Sequence, residues 1–564
     1  MRVIDFSKET NEQSATAGRA VGMEKAPGRS RRRWSLITNG RYGMNLPDIL
    51  EKYNRSSPGA TALVEVRPLS GQRRNISWRV LYERTNRLAN ALLSLGIGKG
   101  DTVFLYAYNS IAWLEVFFGV MKTGACVVPL NYRFTDKELR YCWEIARPKA
   151  FFYGPEFDSR ILNLQSSLSG IRHYVCLDSK ASSFGSLEGL IEKGMPSTPN
   201  TQLRDDDAAG LYFTSGTTGD SKPVLMTHKN LFSAAVIEAY HHQLVSRDSL
   251  LMMPPLYHLA IGHLTGNMLV GGRSVLLTEQ ISPQTVIQTM SAEKISVVFL
   301  LVPWTVDILE AFDKGRLSPV DFDLKAWRLT HMGAQPIPPV LVQRLKQYFP
   351  DMQYDTSYGL SEAAGPGVTH LGMENEHKIG AIGKAGLLWD VRIVGNEGQD
   401  VAPGEVGELI ARGPCVMREY FANPELTAAT VKNGWLFTGD LARFDPDGFI
   451  WLVDRKKDMV ISGGENVYPL DIEKELMQHP KVHDVAVIGT PDHRLGEIVT
   501  AVIQVVEGET LHEEEITVFC EACLPRYKRP RCIIFDQVPR NLTGKLNKPL
   551  LRRKYTLQIK NKEC

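Results

Sequence analysis

The chain has 564 residues, which at roughly 150 residues per domain predicts about three to four compact units. Hydrophobic residues make up 43% and charged residues 23% of the sequence, as in ordinary soluble globular proteins. The formal net charge of +2 excludes a broad electrostatic case for nucleic acid as the main partner. Residues 1–40 are polar, carry both signs of charge and contain no apolar segment. We therefore expect them to be a flexible N-terminal extension rather than a secretory signal.

Helical and strand-like segments alternate from about Met44 to Gly154, and the alternation recurs from Val224 to Val302. Apolar residues recur at helical spacing over residues 78–95, and Gly96 ends that pattern. The next predicted elements are a strand at 102–107, a helix at 111–123, and strands at 125–130, 249–253, 274–277 and 297–302. This alternation predicts a layered α/β fold.

The pattern changes at Val391, where short β-rich segments are separated by Gly, Pro and Asp turns. A charged stretch after Arg455 then precedes roughly 100 residues in a helix–strand–strand–helix order, which is enough for a separate domain. The sequence therefore predicts a multidomain α/β protein. Its large N-terminal domain (residues 41–453) has layered α/β subdomains and a small β-barrel-like piece. A hinge (454–458) joins it to a small α+β C-terminal domain (459–564).

Two features bear on the location of the protein. The longest apolar run, residues 295–306, is too short for a membrane span of roughly 20 residues, so no transmembrane anchoring is expected. Eight cysteines are scattered through this large chain, which favours a reducing, cytoplasmic setting over a disulfide framework.

The strongest local signal is a loop of small hydroxyl residues and glycines that directly follows the apolar residues 211–213. Its N–H and O–H groups are suited to wrap a polyphosphate, and Lys222 adds a positive charge. The loop is not a Walker A motif, because that motif requires glycine where this chain has Ser221. A plain surface turn is the competing interpretation. The residues concerned are Thr214, Ser215, Gly216, Thr217, Thr218, Gly219 and Lys222.

This loop resembles the phosphate-binding signature of the adenylate-forming (ANL) superfamily, which includes acyl-CoA synthetases, luciferases and peptide-synthetase adenylation domains. Other segments resemble further motifs of that family, in the family's order and spacing, over residues 45–553. These segments are Pro255-Leu256-Tyr257-His258, Gly333-Ala334-Gln335-Pro336, Tyr358-Gly359-Leu360-Ser361-Glu362, Thr438-Gly439-Asp440, Asp454-Arg455-Lys456-Lys457-Asp458, Ser462-Gly463-Gly464-Glu465-Asn466-Val467-Tyr468-Pro469 and Pro539-Arg540-Asn541-Leu542-Thr543-Gly544-Lys545. Such collinearity is specific to the family.

The resemblance implies an AMP-forming acid–CoA ligase, an activity of fatty acid metabolism. A carboxylate and ATP would give acyl-AMP and pyrophosphate, and acyl-AMP and coenzyme A would then give acyl-CoA and AMP. The implied partners are ATP, Mg²⁺, coenzyme A and a small carboxylic acid, while the direction of the reaction and a homo-oligomeric state stay open. Two alternatives also stay open. One is an adenylating enzyme that uses an acceptor other than CoA, and the other is a catalytically idle nucleotide-binding regulator.

The resemblance also implies roles for single residues of an ATP site. Glu362 would help to hold Mg²⁺, Asp440 would accept the ribose hydroxyls, and Tyr358 would offer a flat face to adenine. Arg455 would contact the ribose or phosphate region. In isolation, each of these side chains would more often be an ordinary surface or packing residue. The implied catalytic residues are Lys545, Glu362 and Thr218, and further ATP-binding residues are Gly333, Ala334, Gln335, Gly359 and Ser361.

For the C-terminal domain, the resemblance implies movement between the two half-reactions, with Lys457 at the pivot. Lys545 would bridge the carboxylate and the α-phosphate in the first half-reaction only. Gly463 and Gly464 would leave room for the pantetheine arm of CoA, since glycine permits a close approach to the backbone. Lys528 and Arg529 are either CoA phosphate contacts or a solvated basic turn.

By the same resemblance, the acyl pocket is lined by His258, Leu259, Trp304, Gly333, Gly359, Leu360 and Gly365. No Arg, Lys or Asp in this set would hold an amino or second carboxyl group, which disfavours an amino acid substrate. We expect a compact apolar acid of the medium-chain, branched, alicyclic or aromatic kind.

One departure from the family pattern concerns the phosphate loop. Pro223 follows Lys222, whereas the family usually has glycine there. Because proline fixes φ and removes an N–H, we expect the geometry of the loop to differ.

Overall fold

The computed structural model describes residues 45–178, 184–214, 221–258, 260–279, 281–333, 337–372, 375–540 and 546–559. The predicted N-terminal extension lies outside these ranges. Within them the chain is a mixed α/β protein with a large N-terminal domain and a small C-terminal domain, as the sequence predicted.

The largest sheet of the described chain has nine strands and forms the backbone of the large domain. Its strands are β1 (Thr61–Arg67), β2 (Gln72–Ser77), β10 (Ser249–Met252), β11 (Arg273–Leu277), β12 (Val297–Leu301), β13 (Leu329–Gly333), β14 (Gln353–Leu360), β15 (Gly365–Leu371) and β16 (Lys384–Ala385). The spatial order is β16-β15-β14-β13-β12-β10-β11-β1-β2. The central pairs are parallel, whereas β2 and the β14–β15–β16 edge pair antiparallel.

A second, eight-stranded sheet lies in the same domain. It contains β3 (Thr102–Tyr106), β4 (Cys126–Pro129), β5 (Ala150–Tyr153), β6 (His173–Cys176), β7 (Gly185–Ser186), β8 (Ala208–Thr214), β9 (Lys222–Thr227) and β19 (Glu419–Tyr420). Its order is β19-β9-β8-β4-β3-β5-β6-β7. The short β19 joins antiparallel β9 from far along the chain and completes one edge.

Two five-stranded sheets follow. The predicted small β-rich piece is formed by β17 (Asp390–Val394), β18 (Gly407–Arg412), β20 (Val431–Lys432), β21 (Trp435–Phe444) and β22 (Ile450–Arg455). The sheet of the C-terminal domain is formed by β23 (Val460–Ser462), β24 (Glu465–Val467), β25 (Val482–Asp492), β26 (Gly496–Val505) and β27 (Cys532–Phe535).

The helices cover the faces of these sheets. They are α1 (Asp48–Ser56), α2 (Trp78–Ser94), α3 (Ile111–Lys122), α4 (Asp136–Ala146), α5 (Asp158–Leu164), α6 (Leu187–Lys193), α7 (His228–His241), α8 (Ile261–Leu269), α9 (Pro283–Ala292), α10 (Val302–Asp313), α11 (Pro339–Tyr348), α12 (Pro424–Thr430), α13 (Pro469–Leu476), α14 (Glu513–Cys523) and α15 (Lys548–Ile559). None of them, across the described ranges, has the length and hydropathy needed to cross a bilayer. No disulfide joins cysteines of the described chain.

Helix α2 shows how local sequence sets these elements. The side chain of Ser77 accepts a hydrogen bond from the backbone N–H of Val80 and caps the helix start. Leu81, Leu88 and Leu92 recur at helical spacing and are fully buried. The structure places α2, β3, α3 and β4 within a residue or so of the bounds predicted from the same periodicity.

The prediction for 297–302 is slightly too long. β12 ends at Leu301, and Val302 begins α10, with Pro303 and Trp304 in its first turn. Proline fits the first turn of a helix because no intrahelical hydrogen bond needs its missing N–H.

Three buried histidines predict how stability depends on pH. Burial lowers the pKa of His228 and His241 to about 4 and that of His331 to about 3, from an ordinary value of 6.5. Between pH 6.5 and about 4 these histidines bind protons in the unfolded chain but stay neutral in the folded chain. The free energy of unfolding therefore falls as the pH falls. These three groups contribute a slope of about 4 kcal/mol per pH unit at most.

We expect His228→Leu to remove about one third of that slope, because no described group hydrogen-bonds to either ring nitrogen of His228. Urea denaturation at pH 7, 6 and 5 measures the slope of the free energy of unfolding against pH. The exposed His377, changed to Gln, is the matched control and should leave the slope as in the parent protein. An unchanged slope in His228→Leu would contradict the prediction.

Candidate active site

Strands β14, β21 and β22 bring Tyr358, Asp440 and Arg455 together, and Asp440 and Arg455 are direct partners in the pairing of β21 with β22. The Tyr358 hydroxyl donates to Oδ2 of Asp440 at 2.5 Å, and Nε of Arg455 lies 3.4 Å from Oδ1. Burial, and then the negative charge of Asp440, raise the pKa of Tyr358 well above its ordinary value. The result is a buried carboxylate held beside an aromatic ring, an arrangement that suits a ligand with a flat ring and paired hydroxyls.

The segment of β21 that carries Asp440 is held by hydrogen bonds of Thr438 and Gly439. The Thr438 hydroxyl donates to the carbonyl of Leu409 at 2.6 Å and accepts from the N–H of Asp440 at 3.1 Å. Gly439 has φ +73°, a conformation that favours glycine, and its carbonyl accepts from the N–H of Lys456. Asp440 is therefore positioned independently of a ligand.

A second group of side chains surrounds Glu362, which sits in the single helical turn Ser361–Ala363 after β14. Oε1 of Glu362 accepts a hydrogen bond from the hydroxyl of Tyr420 at 2.6 Å, and the carbonyl of Glu362 accepts from the N–H of Met417. The ammonium of Lys222 lies 5.2 Å from the centre of the Tyr420 ring. Tyr420 thus links Glu362 to Lys222, the first residue of β9, which follows the predicted phosphate loop. An oriented carboxylate of this kind fits the oxygen ligands that Mg²⁺ prefers.

Sequence reasoning missed Tyr420. It belongs to the two-residue strand β19, and its contact with Glu362 spans 58 residues of sequence, so no local pattern indicates it.

The hairpin β8–β9 carries both ends of the predicted phosphate loop. Thr214 ends β8, and its hydroxyl lies 3.5 Å from the carbonyl of Lys222, which begins β9. Pro223 pairs with Phe213 within the hairpin, and its carbonyl accepts from the N–H of Phe421 at 2.8 Å. The proline is therefore accommodated in the strand. The predicted site residues Ser215, Gly216, Thr217, Thr218, Gly219, Leu259, Ala334, Gln335 and Lys545 lie outside the described residues.

The described residues of the predicted acyl pocket come from several elements. Gly333 ends β13, Gly359 and Leu360 end β14, and Gly365 begins β15 opposite Leu360. Gly365 has φ +140°, and a Cβ there would lie 3.7 Å from Cβ of Ala234. Trp304 is half-buried in α10, and the His258 ring contacts Tyr257 with ring centres 4.4 Å apart.

The predicted CoA and hinge residues lie in or next to the C-terminal domain. Gly463 and Gly464 form a turn with positive φ, +61° and +88°. Lys528 pairs with Asp471 at 2.7 Å, and Arg529 donates to the carbonyl of Leu524, so both basic residues already have partners. Lys457 is exposed between Arg455 and Asp458.

Comparison with known proteins decides the family. A profile of AMP-binding enzymes matches residues 50–421, and one of the AMP-binding enzyme C-terminal domain matches residues 471–545. The chain belongs to the AMP-binding enzyme family. Family relatives match it over nearly their whole length.

Indoleacetate–CoA ligase of Aromatoleum aromaticum is 31% identical over 90% of this chain and 98% of its own. The medium-chain fatty-acid–CoA ligase of Escherichia coli is 30% identical over 94% of each chain. The crystal structure of an anthranilate CoA ligase in complex with anthranoyl-AMP superposes with a TM-score of 0.82 at 26% identity, over 92% of this chain and 98% of that one. The chain is thus an AMP-forming acid–CoA ligase, an enzyme that uses ATP, Mg²⁺ and coenzyme A.

Proposed function

We propose that this ligase activates a compact, largely apolar carboxylic acid of the medium-chain, alicyclic or aromatic kind and transfers it to CoA in the cytoplasm. The proposal is supported by two groups of contacts that the end of β14 connects along the chain. One group is Arg455, Asp440 and Tyr358, and the other is Glu362, Tyr420 and Lys222. They supply, in order, places for a nucleoside, a metal-bound oxygen and a phosphate.

Each described residue has a proposed task. Asp440 accepts hydrogen bonds from the ribose hydroxyls with its orientation set by Tyr358, and Arg455 pairs with that carboxylate and faces the phosphates. Lys222 and the hydroxyl-rich loop that starts at Thr214 bind the triphosphate. Glu362 would hold Mg²⁺, which when bound neutralises phosphate charge.

The acyl end is proposed to lie against Leu360 and against Gly333, Gly359 and Gly365, whose lack of side chains leaves room for a compact acid. Charged groups are scarce in this set, which supports an apolar body for the substrate. The proposed domain boundaries are 41–453 and 459–564, with the hinge at 454–458 and Lys457 as its pivot. Gly463 and Gly464 would then border the path of CoA.

A panel of acids tests the proposal. Purified enzyme is assayed for thioester formation that requires both ATP and free CoA, with medium-chain, alicyclic, aromatic, long-chain and amino acids. We expect the highest kcat/KM among the first three classes. Best turnover of long-chain or amino acids would overturn the substrate class, and no thioester with any acid would overturn the function.

A further inference from the structure

Six ionisable side chains pack together in the interior between α7, α8, β13 and β14. They are His241, His242, His263, His331, Asp355 and Glu238, called here the histidine–carboxylate cluster. All six are buried, and the two carboxylates are each 2% exposed. Buried charged groups are costly unless they are paired, so each polar atom of the cluster needs a partner.

In the Asp355 half of the cluster, each carboxylate oxygen lies at hydrogen-bonding distance from a histidine nitrogen. Oδ1 of Asp355 lies 2.6 Å from Nδ1 of His331, and Oδ2 lies 2.7 Å from Nδ1 of His242. Two ligand atoms held tetrahedrally by one metal ion, each at about 2.0–2.2 Å from it, would lie about 3.3–3.6 Å apart. The nitrogen–oxygen distances at Asp355 are shorter and are those of hydrogen bonds. We therefore infer that Asp355 is structural and fixes the orientation of the His242 and His331 rings.

The Glu238 half is different. Nε2 of His242 lies 3.0 Å and Nδ1 of His263 lies 3.1 Å from Oε2 of Glu238. These two nitrogens hold the charge of Oε2. The other oxygen, Oε1, accepts no hydrogen bond from a residue that the structure describes, and it is the oxygen nearest to Gly262 and Gly365. Burial opposes the charge of His242, but Asp355 and Glu238 raise its pKa to about 10, so it stays protonated and holds Glu238 ionised. Oε1 of this buried, ionised carboxylate is thus available to accept a hydrogen bond.

Glycines separate this carboxylate from the proposed acyl pocket. A Cβ added at Gly365 or at Gly262 would lie 3.7 Å from Oε1 of Glu238. At Gly333 an added Cβ would lie 3.4 Å from Nε2 of His331. Two of these three glycines were predicted from the sequence to line the pocket. No side chain at these positions stands between the cluster and the acid.

We propose that the far end of the acyl pocket is polar, and that Glu238 accepts a hydrogen bond from a donor group on the acid, remote from its carboxylate. The donor classes are a ring hydroxyl, an amine or a heterocyclic N–H. The inference rests on the proposed function and narrows it: the substrate has an apolar body and a donor at its distal end. A site that pairs a buried polar group discriminates strongly against analogues that lack the partner.

The test compares matched acids that differ only at the distal position, with a hydroxyl, an amino group, a methyl group or hydrogen there. We expect the wild-type enzyme to favour the hydroxyl or amino member over the methyl member by at least about tenfold in kcat/KM. In Glu238→Leu that preference should fall below about threefold while the methyl member is still turned over. Glu238→Gln, which keeps the size and one acceptor, should be intermediate.

Several results would overturn the inference alone. One is thioester formation without any preference for a donor, and another is a preference that survives in Glu238→Leu. The selectivity of the wild-type enzyme decides the question even if the variants fail to fold. A full equivalent of zinc in the purified enzyme, lost in His331→Ala, would instead make the cluster a metal site. If no acid gave a thioester, the proposed function would be contradicted, and so would this inference, which rests on it.

Discussion

Lys545→Ala is expected to lose adenylate formation by about 10³-fold or more and to keep the transfer of a supplied acyl-adenylate to CoA. The proposed reason is that the ammonium guides the acid's oxygen to the α-phosphate and neutralises charge that develops there, which is needed in the first half-reaction only. ATP–pyrophosphate exchange measures the first step, and thioester formation from synthetic acyl-adenylate measures the second.

Lys554→Ala is the matched control for this experiment. Lys554 belongs to the same domain and pairs with Asp536 at the surface, so both half-reactions should proceed as in the wild type. Equal loss of both steps in Lys545→Ala would refute a role confined to adenylation.

Glu362→Gln is expected to slow adenylation by about 10²- to 10³-fold and to raise the Mg²⁺ concentration that gives the half-maximal rate. The amide keeps the size and can still accept from the Tyr420 hydroxyl, so the loss reports the missing charge rather than misfolding. Initial rates across a Mg²⁺ titration measure both effects.

Two further variants calibrate this result. Tyr420→Phe removes only the hydroxyl that orients Glu362, and we expect a loss of about tenfold. Glu419→Gln, the neighbour of Tyr420 in β19, should change neither the rate nor the Mg²⁺ titration. If Glu362→Gln kept the wild-type rate at limiting Mg²⁺, Glu362 would have no part in metal binding.

Local elements of the fold could be predicted from the sequence because their causes are local. The apolar spacing of α2 and the short apolar run of β3 set their bounds to within a residue or so. Strand order could not be predicted. β1 pairs with β11, about 210 residues away, and β19 pairs with β9, about 195 residues away, through packing that no window of sequence records.

The same division holds for the candidate site. Tyr358, Asp440 and Arg455 were predicted through motif resemblance, and the structure brings them into contact. Tyr420 and Glu238 were missed. The proposed role of each depends on contacts with residues of other elements, which the sequence does not record. In the sequence alone they are an ordinary tyrosine and one glutamate of an apolar helix.

The segment that carries Lys545 is anchored on both sides. Arg540 pairs with Asp484 at 2.7 Å, Lys548 pairs with the buried Glu473 at 2.8 Å, and Arg540 and Leu546 form a β-bridge. Both anchors belong to the C-terminal domain, so in the proposed mechanism a large displacement of the Lys545 ammonium requires movement of that whole domain. Loosening either anchor should then lower the precision with which the ammonium is placed, while the affinity for ATP stays the same.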